Sequence, residues 1–463
     1  MTKQKLDTAI VNGQIVTGDG VTEIETGNVL IGGQVILDVI AGVIDRPTNA
    51  RVIDATGCKI LPGIINAHAH GCTVGPTMPS GSRAFSPSVI EYHLNRHLLS
   101  GTTTLLNVCG LALTDEIATT PIDHPLEVAV STAHTPANLA AAITVDGTGL
   151  GERHKQMTIE AMVKAGAKAL GEAGGGQTLG GGAQDYRFIP DAIYKATAIR
   201  IHPNLAREIK EAVVGRKLDH AVADLNAVDD LLHGSVLQSV IDASALAELV
   251  RATVMPPVSL SLQGLAEIAE ASSRLELPAI FHLATPTAET LMRLAITYPK
   301  ARMIAAHSNH PSFEADECVS AARGLRTNGV TIDVSTLDCI STRWRNSPTN
   351  LDRLVLEGLV DTLSTDFAGG DWDSILDAIN RMVRLGHSSL AGAVALATGN
   401  VAKALPELAS DRGLIAPGRL ADIAIVEGHN LSRVRHVIKK GRIVVRNGDI
   451  CGRHERRQQR RRP

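Results

Sequence analysis

The chain has 463 residues, 44% hydrophobic and 20% charged, which is enough to bury a large core and far from a disordered composition. Aromatic residues are scarce (Trp 2, Tyr 4, Phe 5), which argues against a base-stacking platform for single-stranded nucleic acid, and no apolar run approaches the roughly 18–20 residues that span a bilayer. The formal net charge of −3 is unevenly placed: residues 452–463 carry six arginines against one glutamate and read as a basic, disordered tail.

The first residues, Met1 to Asp7, lack the apolar stretch and small-residue cleavage site of a secretory signal, so a cytoplasmic address is expected. From Asp7 to Leu61, short β-rich runs alternate with turn glycines, as in Thr8–Val16 and Gly27–Gly33, and predict hairpin strands. The last part of the chain repeats the style at Ala421–Val426 and Arg442–Gly448. Residues 1–61 and 401–451 are therefore expected to build one composite β-sandwich domain.

Between them, residues 62–400 alternate apolar runs with helix-length amphipathic segments. Strands are predicted at Ile64–His68, Thr103–Val108, Ala279–His282, Met303–His307, Thr331–Val334 and Thr362–Thr365. Helices are predicted at Ser86–Leu99, where Ser86 can cap and Pro87 suits the first helical position, at Ile159–Ala165 and at Ser374–Leu385. Repeated β-then-α order predicts an α/β fold, a (β/α)8 TIM barrel. Its extra length is assigned to a helical insertion over about 204–273, rich in Leu, Ala and Glu, which reads as a lid or an oligomer contact.

The sharpest chemical signal is His68-Ala69-His70, after Pro62-Gly63. Side chains two apart on a strand share a face, so both imidazoles can reach one inward point, and neutral imidazoles there suit a divalent metal. By itself the pattern is weak. Further along, His282 and His307 each close an apolar run, and Asp366 follows Thr362–Thr365. In a (β/α)8 barrel the strand C-termini form the active-site face, which would gather all five side chains. The six cysteines (Cys58, Cys72, Cys109, Cys318, Cys339, Cys451) are scattered without a CxxC pair, so neither a disulfide framework nor a thiolate zinc site is expected. No Gly-x-Ser-x-Gly elbow occurs to support a serine hydrolase.

Together with Gly101-Thr102-Thr103-Thr104 and the closing run Gly413–Asp422, these motifs resemble those of the amidohydrolase superfamily, metal-dependent barrel hydrolases, over about Asp7 to Gly448. The resemblance is strongest to its thiocarbamate and phenylurea hydrolases. It implies that His68, His70, His282, His307 and Asp366 bind one or two divalent ions (Co, Zn or Mn), and that water activated there cleaves a carbonyl–nitrogen bond. Asp366 would move the proton to the departing group and His307 would assist as a catalytic residue. The implied substrate is a small apolar thiocarbamate such as molinate, with a carbamate, phenylurea or enamide as alternatives and a homo-oligomer as the expected assembly. A metal-free scaffold protein of the same fold is the non-enzymatic alternative, disfavoured because five ligand-competent side chains persist at strand ends.

The superfamily also implies a bridging carboxylate from the fourth barrel strand, and here two readings stand. Arg187 in that slot would replace one ion's charge and pair with Asp366, leaving a mononuclear site, the slightly favoured reading. Alternatively Glu172, or Lys168 as a carbamate, bridges two ions. The glycine runs Gly174–Gly176 and Gly180–Gly182 match no phosphate loop and read as active-site turns. His202 reads as a histidine beside a proline turn and His310 as a pocket wall; His220, His233 and His387 read as ordinary polar residues. Asp338, Asp371 and Asp373 read as solvated or capping carboxylates.

Overall fold

The computed structural model describes residues 5–118, 124–175, 179–180, 182–343, 346–367 and 372–451. The Arg-rich tail, Asp371, Gly176, Gly181 and the first four residues lie outside them. Five strands open the chain: β1 (Thr8–Val16), β2 (Glu23–Gly32), β3 (Val35–Ala41), β4 (Arg51–Asp54) and β5 (Cys58–Pro62). Eight follow in the middle: β6 (Ile64–Ala69), β7 (Thr102–Asn107), β8 (Glu127–Thr132), β9 (Ala169–Ala173), β10 (Pro278–His282), β11 (Arg302–Ala306), β12 (Thr331–Ser335) and β13 (Thr362–Ser364). Four close it: β14 (Ile423–Glu427), β15 (Asn430–Lys439), β16 (Arg442–Arg446) and β17 (Asp449–Ile450).

The outer strands form one nine-stranded sheet in the order β17-β16-β15-β14-β5-β1-β2-β3, with β4 also paired to β1. Antiparallel pairing of β5 with β14 joins the two chain ends, from Pro62 opposite Ile423 to Cys58 opposite Glu427. Its core is almost wholly β-branched, with Ile10, Ile15, Ile31, Ile60, Ile425 and Ile438 packed together, as a pleated sheet surface favours.

Strands β6 to β13 are neighbours in chain order, all parallel, and a parallel bridge from Ala69 to Phe367 returns the last strand to the first. This is the predicted (β/α)8 barrel beside a second β domain. Its strands are buried on both faces, so they read as apolar runs rather than alternations. Two strands escaped prediction: β8 begins with Glu127, and β9 is Ala-Leu-Gly-Glu-Ala, poor in β-formers. Gly171 in β9 is required by close approach, since a Cβ there would lie 2.1 Å from the Ile280 carbonyl oxygen of β10.

Helix Pro87–Leu99 begins at Ser86 with proline in its first turn, but the Ser86 hydroxyl meets Ser88 and makes no cap bond. Elsewhere capping does operate: Thr135, Asp242, Ser374 and Ser389 each accept a first-turn backbone N–H. The helical insertion starts earlier and ends earlier than 204–273. A π-helical turn (Gln184–Phe188) and helices Ile189–Thr197, Pro203–Val214, Leu225–Leu232 and Ala243–Val254 form an annex with its own core of Ile193, Ile209, Val213, Val228, Leu246 and Val250. Helix Val258–Leu275 instead packs on β9 and β10 as a barrel crossover.

The stretch Ala243–Leu275 is long and apolar enough by composition to cross a membrane, contrary to the sequence reading. It is broken between Val254 and Val258, and its buried faces are used in the annex and against the barrel. Past residue 400, helices Gly399–Ala404 and Pro406–Ala409 place Val401, Leu405 and Leu408 against Ile65, Ala67 and Leu106, so this segment packs with the barrel before the chain re-enters the sheet.

Candidate metal centre

His68 lies in β6 and His70 just after it, Glu172 in β9, His282 at the end of β10, His307 just after β11 and Asp366 just after β13. All six come from C-terminal strand ends and meet in one place. Glu172 is the hub. Its Oε1 lies 3.1 Å from His282 Nδ1 and 3.1 Å from His307 Nε2, while its Oε2 lies 3.6 and 3.5 Å from the Nε2 atoms of His68 and His70. Asp366 Oδ1 sits 3.4 Å from each of those two Nε2 atoms, which are 3.2 Å apart.

These separations decide what the cluster suits. Several exceed a good hydrogen bond, yet two ligands each about 2.1 Å from a shared ion stand about 2.9–3.4 Å apart. The donors divide into overlapping sets, His68, His70 and Glu172, then His68, His307 and Asp366, then Glu172, His282 and His307. Four imidazoles and two carboxylates are a borderline donor set of the kind that takes first-row divalent ions. The residues present fit divalent-ion coordination, with Glu172 common to two of the three sets.

The surroundings fix these side chains. Asn66 Nδ2 donates to Thr365 Oγ1 at 2.8 Å, and Asn66 Oδ1 accepts from the backbone of Thr365 and His68, tying β6 to the segment that carries Asp366. His307 and Asp366 are non-glycine residues with φ of 37° and 49°, and the turn at Asp366 is held by its N–H donating to the His68 carbonyl. Beneath them Asp333 accepts from Ser364 and Thr362 hydroxyls. A Cβ on Gly175 would fall 2.3 Å from the Glu172 carboxylate, so glycine is needed there.

Burial raises the cost of ionising Glu172, but the imidazoles of His282, His307 and His68 hold its carboxyl well below the usual range. Asp366 is likewise held low against burial by His68, His70 and His307. His68, pulled down by burial, is pushed up to about 9 by Asp366 and Glu172. Five of the six residues are buried at 3% exposure or less, whereas the Asp366 side chain keeps 16% and faces a solvent-connected cavity of about 680 Å³. Met78, Tyr186, Arg207, His310, Asn346 and Leu337 help to line that cavity. His310 packs on His282 and His307, and its Nδ1 accepts from the Ser312 N–H, so its neutral form carries the proton on Nε2.

The other bridge candidates lie elsewhere. Arg187 is a correction to the sequence reading: its guanidinium pairs with Asp146 at 3.1 Å and Ser82 at 2.9 Å, stacks on Phe188, and is 42% exposed. Lys168 precedes β9 and so stands at the opposite end of the strand from Glu172. His202 caps helix Pro203–Val214, His220 and His233 are exposed, and His387 faces Asp352. Asp338 is buried, and Asp373 accepts the N–H groups of Ile340, Ser341 and Thr342. Arg207 was not singled out from sequence, because nothing in a helical run of mixed charge marks which residue turns to the barrel.

The amidohydrolase family model matches residues 236–444, a stretch that contains His282, His307 and Asp366. An adenine deaminase of Dehalococcoides mccartyi (strain ATCC BAA-2266 / KCTC 15142 / 195) is 34% identical over 125 residues, 27% of this chain and 20% of that protein, so the chain matches about a fifth of its curated relative's length. Among solved structures, A. niger ochratoxinase aligns with a TM-score of 0.56 at 16% identity, covering 96% of this chain and 97% of that one. A molinate hydrolase aligns with a TM-score of 0.52 at 18% identity over 95% of both chains. At these identities the structural likeness establishes the fold.

Proposed function

We propose that the chain is a metal-dependent hydrolase of a carbonyl–nitrogen bond. The observation that carries this reading is Glu172, whose two carboxylate oxygens each face a pair of imidazoles. His68, His70 and Asp366 would hold one divalent ion, His282 and His307 a second, and Glu172 both. Such ions supply Lewis acidity, polarising a carbonyl and making water acidic near neutral pH. Asp366 is the most exposed of the six, so its carboxylate is placed to take a proton from the attacking water and return it to the departing nitrogen. His310, with its proton on Nε2, offers a donor at the cavity wall for a developing oxyanion.

The thiocarbamate molinate is the substrate favoured by the sequence resemblance, and the likeness of fold to a molinate hydrolase is in keeping with it. Carbamates and phenylureas pose the same chemistry. Elemental analysis of the purified chain tests the reading, together with hydrolysis of molinate, a phenylurea and a set of N-acyl amino acids before and after chelation. About two ions per chain are expected, with turnover lost to chelator and restored by zinc, cobalt or manganese. A chain that takes up no metal, or a hydrolysis indifferent to chelation, would refute it and revive the scaffold alternative.

A further inference from the structure

We propose that Arg207 forms an anion subsite in the reaction cavity and that the substrate carries a carboxylate remote from the bond that is cleaved. This rests on the reading of the cavity as a hydrolase site. Arg207 lies on the annex helix Pro203–Val214 and lines the same cavity as Glu172 and Asp366. Its Nε donates to Asp185 Oδ2 at 3.1 Å and its Nη2 to Asn346 Oδ1 at 3.2 Å, while Nη1 makes no hydrogen bond among the described residues. Asn346 is itself anchored by donating to the Leu337 carbonyl at 3.1 Å. The guanidinium is therefore fixed before any ligand arrives, which lowers the entropy cost of engaging one.

Charge count gives the fork its purpose. Lys210, one turn on, donates to the other oxygen of Asp185 at 2.5 Å. One carboxylate with 4% exposure thus serves two cations, at 20% and 7% exposure, so neither has a carboxylate to itself. Glu211, just past Lys210, is pushed up by burial against the pull of Lys210 and Arg207, and it forms no ion pair with either among the described residues. A partly buried cation that shares its counter-ion gains from a further anion at its open Nη1, and a guanidinium favours a carboxylate in a two-pronged contact. An uncharged thiocarbamate would leave Nη1 unmet, whereas an N-acyl or N-carbamoyl amino acid would place its carbonyl near the six-residue cluster and its carboxylate at Arg207. The annex, rather than the barrel, would then set specificity.

The test is calorimetric titration of the metal-loaded full chain with N-methanesulfonyl derivatives of Gly, Leu, Phe and Glu and with their neutral carboxamides. The sulfonamide resists hydrolysis, so binding alone is read. At least one acid is expected to bind about tenfold or more tightly than its amide. That ratio should fall to near one in Arg207→Met and part-way in Arg207→Lys, which keeps the charge facing Asp185 without the fork. Should Arg207→Met fail to fold, an unchanged ratio in Arg207→Lys overturns the subsite. So does a wild-type ratio near one, absence of acid binding, or a ratio that survives in both variants. Chelator-sensitive hydrolysis of neutral substrates alongside any of those results would leave the hydrolase reading standing; a chain without metal would remove it.

Discussion

Glu172 holds a position no other residue of the cluster shares, since each of its oxygens faces a different pair of histidines. Replacing it by glutamine keeps the shape and removes the negative charge. The expected outcome for Glu172→Gln is a folded chain whose metal affinity falls by at least about 100-fold, more than loss of an outer-shell partner typically costs; circular dichroism and elemental analysis read the two halves. Undiminished metal content would show that the bridge lies elsewhere. Arg187→Ala, by contrast, should leave metal content unchanged and cost less than about 1 kcal/mol, because the guanidinium is 42% exposed and the buried Asp146 keeps the hydroxyls of Ser82 and Thr148. His68, His70, His282, His307 and Asp366 were legible in the sequence because each ends a visibly apolar run. Glu172 was named only as an alternative, because Ala-Leu-Gly-Glu-Ala does not look like a strand, and without the strand's direction Arg187 took a slight preference over Glu172 and Lys168.

At the scale of the element, helix Pro87–Leu99 packs behind the segment carrying Asp366. His97 on that helix is fully buried, edge-on to Phe367 and Trp372 at 5.6 and 4.8 Å between ring centres, and neither ring nitrogen finds a partner among the described residues. Burial, aided by His93, Arg96 and His124, pulls its pKa down to about 3. The folded chain therefore keeps His97 neutral while the unfolded chain protonates it below about 6.5, so the unfolded state binds more protons in between. Stability from this neutral ring is complete above about pH 6.5 and is lost as pH falls towards 3, at up to about 1.4 kcal/mol per unit. The thermal midpoint of His97→Leu should fall less steeply than wild type between pH 7.5 and 5. Metal loss on acidification affects both proteins alike, so parallel slopes would mean that His97 does not drive the effect. The helix itself was predictable from its apolar spacing and proline; its aromatic neighbours were not, because they arrive from some 270 residues away.

For the molecule as a whole, the two β-rich ends announced a shared sheet through composition alone, and the barrel followed from strand and helix alternation. The annex boundary was hidden, since helix Val258–Leu275 has the same composition as the annex helices and only its packing on β9 and β10 sets it apart. What fastens barrel to sheet was hidden too, being charged. Arg412 Nη1 reaches Glu127 at 2.9 Å and Thr104 Oγ1 at 2.9 Å, and Lys439 of β15 reaches Asp422 at 2.6 Å and Glu127 at 3.0 Å. Asp422 also accepts from the Lys440 N–H at 2.7 Å. With Asp422 at 1% and Arg412 and Lys439 at 5–6% side-chain exposure, removing Asp422 leaves both buried cations to share the part-exposed Glu127. Asp422→Asn is expected to cost about 3–5 kcal/mol and to open the sheet to proteolysis at a lower temperature than wild type. Adding Lys439→Met to that variant removes an ammonium left with only the part-exposed Glu127 and should restore part of the loss, because an apolar group fits the junction better than a half-paired charge. If the two substitutions simply add, the coupling between Asp422 and Lys439 is absent.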